Sequence, residues 1–478
     1  MTPQGGVHGS STTTSVRQWR AMPLLTACSV AGEKKYFKTG LEAVQLLVHE
    51  AKRRDQHKKH YLEQFESFTS SLSAVFDRSP RYAWLAKIFL EPERSVQFRV
   101  SYLDDSGVVR THRGYRVQYS STLGPYEGPL HFGAHVDSDM LKGMAFAANF
   151  GNALTGARIG GAAGGSNFDP SRASEAEIQR FCQSFMTELA KYIGPGTDLP
   201  SIGRGVGRAE VGYLYGQYKR SSNNFSRHGR GLLWGGTLAH PEAFGYGAVH
   251  FAKHMLAERG ESLQGKRCLI TGSGKIALAV AERLVSLGAI PLTFSDRSGH
   301  VYEPKGITEP KLRQISQIKA ERGARIGRYI IASTTAKFNE PANIFSIPCD
   351  LVFPCAGSGE IDEESAKLLA AGGCMAVVDS SHAPSTVGAI KTYKKLGIMY
   401  APYKATLAAG TAVTNTDSDE DLMSDAEVVT KVDAAALAIF QEVIRTANEY
   451  NMRGDLKAGT DIASFLRVAN VLASHGAI

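Results

Sequence analysis

The sequence predicts an α/β protein of two domains, an N-terminal mixed-sheet α/β domain followed by a Rossmann-type dinucleotide-binding domain. Three observations carry this. At 478 residues the chain is too long for a single core. Residues 96 to 120 alternate apolar and polar side chains, the period of a half-buried strand, next to segments of helical period. Residues 268 to 400 interleave short apolar runs with helical stretches behind a glycine fingerprint, which describes a parallel sheet wound by crossover helices. The boundaries that follow are a disordered or targeting extension over 1–40, a first domain over 41–238 completed by C-terminal helices over 430–478, and a nucleotide-binding domain over 239–429.

Composition bounds the function. Hydrophobic residues make up 43% and charged residues 21%, ordinary values for a globular chain, and no run of 18 apolar residues occurs, so no membrane-spanning helix is expected. A net charge of +8 suits contact with nucleic acid, anionic lipid or an acidic protein, and equally a plain basic soluble protein. Cys28, Cys182, Cys268, Cys349, Cys355 and Cys374 show no CxxC and no metal-ligand spacing. A reducing compartment is expected, with neither disulfides nor a structural metal site. Residues 1–32 hold Arg17 and Arg20, many Ser and Thr, and no acid before Glu33. This is the composition of a mitochondrial transit peptide and also of a plain disordered tail, which would leave the protein cytoplasmic.

Along the chain, LEAVQLLVHEAKRR and YLEQFESFTSSLSAVF read as two amphipathic helices, and VQFRVSYLDDSGVVRTHRGYRVQYS as a hairpin turning at Asp104 to Gly107. The stretch Ile159 to Pro170, IGGAAGGSNFDP, reads as a glycine-rich turn. A helix over 171–194 follows, with Ser174 and Glu177 set as a capping box. Residues 203–236 are glycine-rich and basic (Arg204, Arg208, Lys219, Arg220, Arg227, Arg230 against Glu210), which predicts an exposed, loop-rich segment. Tyr213, Tyr215, Tyr218 and Phe225 interleave with these charges, so RNA contact through 204–230 by stacking and phosphate pairing stands beside an ordinary basic surface. PEAFGYGAVHFAKHMLAERG is a long helix, and an acidic loop, TDSDEDLMSDAE, precedes a closing helix from about Val432.

GSGKIA at Gly272 to Ala277 lies between a strand and a helix, with Asp296 at the end of the next strand, as a dinucleotide fingerprint requires. Gly272, Ser273, Gly274, Lys275 and Ile276 would form the phosphate loop, Asp296 would meet a ribose, and Arg297 would pair with a 2′-phosphate, favouring NADP, or lie in solvent. His131, His135, Asp137 and Asp139 in HFGAHVDSD could bind a metal or shuttle protons, the histidines sharing a face if helical. His250 and His254 have the spacing of a zinc pair, but Phe251 replaces the glutamate of that motif, so they read as structural.

EPERSVQFRV, GYRVQYSSTLGPY, GGSNFDP, RFCQSFMTELAKYIGP, GTDLP, EVGYLYGQY, HPEAFGYG, GSGKIA, LVFPCA and LASHGAI, in this order, resemble the hexameric NADP-type glutamate dehydrogenases over residues 41–478. The resemblance implies a first domain that binds substrate and assembles oligomers, and a cleft between the domains where an amino acid is deaminated by hydride transfer. It also implies which residues would act, and those are changed. The carboxylate-binding lysine of GPYKGG is Glu127, the lysine of FEQAFKxxL is Gly151, and the catalytic lysine of MGG(G/A)KGGSDFDP is Ala163. The acid–base aspartate of DVPAGDxGVG is Gly203; in KAxNAGGVxxSG the asparagine is Leu407 and the serine Thr414. Where the family reads PCATQN near the nicotinamide, this chain has PCAGSG.

Three lysines replaced by Glu127, Gly151 and Ala163 take those positions from +3 to −1, toward a substrate with two carboxylates. Each close charge pair is worth about 1–4 kcal/mol, and a general acid–base group about 10² to 10⁴ in rate. The expectation is a glutamate dehydrogenase-like pseudoenzyme with no catalytic residues, serving as a structural or interaction subunit of a homo-oligomer or larger complex. The alternatives are an active NADP-dependent glutamate dehydrogenase, which would need Lys142, Lys219 or another basic group in the cleft, and a non-catalytic NADP(H) sensor.

Overall fold

A computed structural model describes residues 37–222, 240–321, 323–339, 343–414 and 423–476. Residues 1–36 of the extension expected over 1–40 lie outside them, and Thr39–Ile478 forms one compact unit. The first part opens with helices α1 (Gly40–Arg54), α2 (Lys59–Ser70), α3 (Ser73–Arg78) and α4 (Arg81–Ile88). Thr39 caps α1, its hydroxyl accepting from the Glu42 N–H, and Ala43, Val44, Leu47 and Ala51 form the buried stripe that the 3.6-residue period prescribes.

The predicted hairpin forms as β1 (Arg94–Leu103) and β2 (Val109–Ser120), and the Asp104 carboxylate fixes its turn by accepting from the Ser106 and Val108 N–H groups. Then come β3 (Tyr126–Phe132), α5 (Ser138–Leu154), β4 (Gly161–Ser166), α6 (Glu175–Leu189), β5 (Asp198–Ile202) and α7 (Arg208–Ser222). The sheet order is β1-β2-β4-β3-β5, mixed as predicted: β2 runs antiparallel to β1 and β4, while β3 runs parallel to β4 and β5. Ser174 caps α6 by accepting from the Glu177 N–H.

Two sequence readings change here. The glycine-rich stretch is no turn: Gly161–Ser166 is β4, a fully buried inner strand. A Cβ on Gly161 would lie 2.3 Å from Asn149 Cα of α5, and one on Gly164 would lie 2.9 Å from the Arg116 Cδ, so the glycines mark close packing rather than reversal. The basic segment is not loop-rich either, because Arg208–Ser222 is the helix α7, held by burial of Leu214 and Tyr218 against α6. Its remainder, with Phe225, Arg227 and Arg230, lies outside the described residues.

The second part is α8 (Ala243–Ala257), β6 (Arg267–Ile270), α9 (Lys275–Ser286), β7 (Ile290–Pro291), β8 (Thr293–Asp296), β9 (Gly299–Tyr302), α10 (Glu309–Ala320), β10 (Lys337–Asn339), β11 (Leu351–Phe353), α11 (Glu363–Ala371), β12 (Ala376–Val378), α12 (Val387–Leu396), β13 (Met399–Ala401), α13 (Tyr403–Thr406) and α14 (Ala408–Thr414). The parallel sheet has the order β13-β12-β11-β6-β7, with β8 to β10 forming a separate antiparallel sheet. Two long helices close the chain, α15 (Asp425–Glu449) and α16 (Leu456–Ser474). A capping box between Ser424 and Glu427 starts α15 inside the stretch read as an acidic loop. Val428, Val432 and Phe440 of α15 join the core of α8 and the parallel sheet, whereas Phe465 of α16 returns to Phe68, Phe76 and Phe89 of the first part.

Arg116 of β2 has no exposed surface. Its Nε and Nη2 both donate to the carboxylate of Asp198 on β5, and its Nη1 donates to the Gly128 carbonyl at 3.1 Å. Removing one partner of such a pair leaves a buried charge without compensation, at a cost of about 3–5 kcal/mol. Asp198→Ala should therefore lose about 3–5 kcal/mol in a urea titration. Arg110→Ala, which breaks a surface pair with Asp104, should lose under about 1 kcal/mol.

Candidate functional site

The glycine fingerprint forms the loop between β6 and α9. Gly272 sits at φ +75°, its N–H donating to Ser295 Oγ, and a Cβ there would lie 3.0 Å from the Cys355 carbonyl, so only glycine fits. Gly274 caps α9 and faces open space, room for a pyrophosphate against the helix N-terminus. Ser273 is buried and Ile276 half-buried. Lys275 begins α9, its ammonium 3.9 Å from where a Cβ on Gly207 would lie, and burial, then Arg208, push its pKa down. Asp296 is already engaged, its carboxylate accepting from the Ser298 and Ile326 N–H groups and from Ser298 Oγ. Arg297 next to it is exposed.

Across the cleft, each position where the sequence departs from the family pattern has a definite environment. The Glu127 carboxylate, 5% exposed, accepts from Asn152 Nδ2 at 3.0 Å, and the same amide also donates to the Gly160 carbonyl. Gly151 on α5 leaves room, since a Cβ there would meet only Lys404 backbone at 3.6 Å. Ala163 is fully buried in β4, opposite Val117. Thr414 donates back to the Gly410 carbonyl of its own helix, and Leu407 packs on an apolar cluster with Ala147, Ala383 and Tyr403. Gly203 is closed to any side chain: a Cβ would lie 2.3 Å from the Leu130 carbonyl oxygen and 3.0 Å from His131 Nε2. The buried Glu360 carboxylate, its pKa raised by that burial, ties the PCAGSG loop to itself by accepting from the Ala356 and Gly357 N–H groups.

HFGAHVDSD is not helical over its histidines, because His131 lies in β3, which ends at Phe132, and a turn follows. His131 Nδ1 accepts from the Arg204 N–H at 3.0 Å, Nε2 is enclosed without a partner, and burial, then Arg204, bring its pKa down to about 4. His135 is exposed, Asp137 caps α5, and Asp139 accepts from the His60 and Tyr61 N–H groups, so these four do not converge on an ion. Sequence reasoning missed His60 and His382, which approach each other with ring centroids 6.0 Å apart at the cleft, because they lie on separate elements. His250 and His254 are structural: both bond to Asp433 of α15, which also takes Lys253, while Arg283 donates to His250 Nε2.

Lys142 is buried with Asp55 and Glu91, Lys404 is paired with Asp461, and Lys219 is on the exposed face of α7. No helix among the described residues is long and apolar enough to cross a membrane.

The family model described as Glutamate/Leucine/Phenylalanine/Valine dehydrogenase matches residues 235–476, and that of the Glu/Leu/Phe/Val dehydrogenase dimerisation domain matches residues 92–220. The chain is 42% identical over 434 residues to the NADP-specific glutamate dehydrogenase of Chlorella sorokiniana, covering 89% of this chain and 82% of that relative. To the NADP-specific glutamate dehydrogenase of Giardia intestinalis it is 37% identical over 446 residues, covering 91% and 99%. The crystal structure of Plasmodium falciparum glutamate dehydrogenase superposes with a TM-score of 0.88 at 38% identity, over 91% of this chain and 95% of that one.

Two tests follow from this geometry. Gly203→Ala is expected to cost about 1–3 kcal/mol by overpacking, and His131→Ala should not rescue it, because the closer contact is to the Leu130 backbone; thermal unfolding of the single and double variants decides. The second concerns acid. Burial pushes His250 down to about 4, against the pull of Asp433; burial by itself would raise Asp433, but Lys253 and His250 together hold it down to about 2. Below its ordinary 6.5 the unfolded chain takes up a proton that folded His250 refuses until about 4, so stability falls across that window. His250→Asn should lose less stability than the native chain between pH 6.5 and 4 in melts at each pH.

Proposed function

The chain belongs to the Glu/Leu/Phe/Val dehydrogenase family, and from that premise we propose that it is a non-catalytic member, retained as an NADP(H)-binding or structural subunit rather than for turnover of glutamate. One observation carries the reading. The position of the family's acid–base aspartate is Gly203, where the Leu130 carbonyl leaves no space for any side chain. The neighbouring substitutions agree in sign: Glu127 puts a carboxylate where a carboxylate-binding lysine would stand, and Gly151 and Ala163 supply no charge. A dicarboxylate entering this cleft meets repulsion and no proton shuttle.

NADP is the cofactor that the phosphate loop, Lys275 and the exposed Arg297 support, in line with the NADP-specific relatives; when bound it supplies hydride chemistry. The match to the dimerisation domain supports a homo-oligomer, alone or within a larger complex. RNA contact by the basic segment would run through Arg204, Arg208, Lys219 and Arg220, all exposed, because Tyr218 is buried and Tyr213 donates to Glu175.

A second reading, an active NADP-dependent glutamate dehydrogenase, is favoured by the 42% identity to an enzyme of that name. Calorimetric titration with NADPH and NADH, followed by ammonium and 2-oxoglutarate, separates them. The expected outcome is NADPH binding without oxidation of the cofactor. Turnover above a heat-denatured control would overturn the non-catalytic reading, and absence of binding would leave the structural role alone.

A further inference from the structure

Two helices of the nucleotide-binding part begin side by side, and a histidine and two carboxylates meet there. Glu242 is the N-cap of α8 and Asp425 is the first residue of α15. His240 lies two residues before Glu242, 8% exposed, with its Nδ1 2.7 Å from Glu242 Oε1. One ligand atom each from His240, Glu242 and Asp425 all lie within 4.8 Å of one another. We propose that these three residues bind a divalent transition-metal ion of the zinc class, which staples the start of α8 to the start of α15.

The donor set selects the metal. One imidazole and two carboxylates match the ligands of zinc, and the imidazole disfavours calcium and magnesium, which take oxygen alone. Three protein ligands leave a fourth position for water. The second ring nitrogen, Nε2, is enclosed without a hydrogen-bond partner among the described residues. A metal would replace the hydrogen bond that now joins His240 to Glu242.

Charge points the same way. Burial first, and then Glu282, Glu242 and Asp425, push the Tyr246 hydroxyl well above its usual range, so three carboxylates crowd one buried ring. The helix N-termini already favour Glu242 and Asp425 as bare carboxylates and oppose a cation, which sets the affinity below that of a dedicated structural zinc site. Affinity also falls in acid, because ligation needs a neutral imidazole. The sequence offers no motif for this site, because Asp425 is far from His240 in the chain.

The test is titration of Zn²⁺ into the purified full chain, stripped with chelator, read by calorimetry and by thermal unfolding, with Mg²⁺ as the control ion. One zinc per chain is expected, with a rise in unfolding temperature that Mg²⁺ does not give. Asp425→Asn and His240→Gln should each weaken binding by about tenfold or more and abolish the thermal shift. Asp425 is exposed and its replacement leaves the Ser424–Glu427 cap in place, so this variant decides even if His240→Gln fails to fold. No zinc binding by the native chain, or unchanged affinity in Asp425→Asn, overturns the proposal.

Discussion

A fully buried arginine dictates much of the first domain. The Arg116 guanidinium can leave water only because Asp198 meets it with both carboxylate oxygens and the Gly128 carbonyl takes a further N–H. To make those bonds the side chain must cross from β2 over β4 and β3 to β5, and the strand it crosses has to be bare. Gly164, paired with Arg116 in register, supplies that clearance, while Gly161 admits Asn149 of α5 from the helix side. The glycine run is thus required by packing whether or not a lysine follows it. This explains how a motif resembling a catalytic loop can persist around Ala163: the glycines serve the sheet, and the lysine they would present is separable from them.

The cleft built on that sheet is polar yet poor in available cations. Its imidazoles are held neutral near pH 7: burial is the main cause for both His131 and His382, with Arg204 acting next on His131 and His60 on His382. Lysines close to it are spent on internal pairs, Lys404 with Asp461 and Lys142 with Asp55. A site of this kind does not attract a second dicarboxylate charge, whereas the phosphate end of the nucleotide domain keeps Lys275, Arg297 and a free helix N-terminus. Electrostatics therefore separate the two halves of the cleft: one suits a phosphate, and the other does not suit an anionic substrate.

The parts legible in the sequence were those with local causes. Gly272 announces a left-handed turn, Ser174 caps a helix whose third residue is Glu177, and the hairpin is signalled by alternation around Asp104; each acts within a few residues. The parts that were not legible depend on distant partners. Glycine in Gly161–Ser166 reads as a turn until Arg116 and Asn149 are seen to need the space, and α7 reads as loop until Leu214 and Tyr218 find α6. His250 and His254 are understood only through Asp433 on α15, and no spacing rule links residues so far apart. At the candidate site, residue types were readable, but the direction of Glu127 toward Asn152 and the closure around Gly203 were not.

The substitutions in the cleft are interlocked, which bears on how such a site could change again. His131 rests its ring against the space above Gly203, and that ring is positioned by the Arg204 N–H in the very next residue. A carboxylate at 203 would need the Leu130 carbonyl, the β3 strand end and the His131 ring to move together, and β3 is pinned on both sides by β4 and β5. Glu127 is held by an amide that also ties Gly160, so a lysine there would put a cation against the Asn152 N–H in place of an acceptor. A side chain at 203 thus costs stability before it adds charge, whereas Gly151 has room for one. The frame around these positions is held by contacts that the residues make with one another, and a fold held in this way does not by itself fix a reaction.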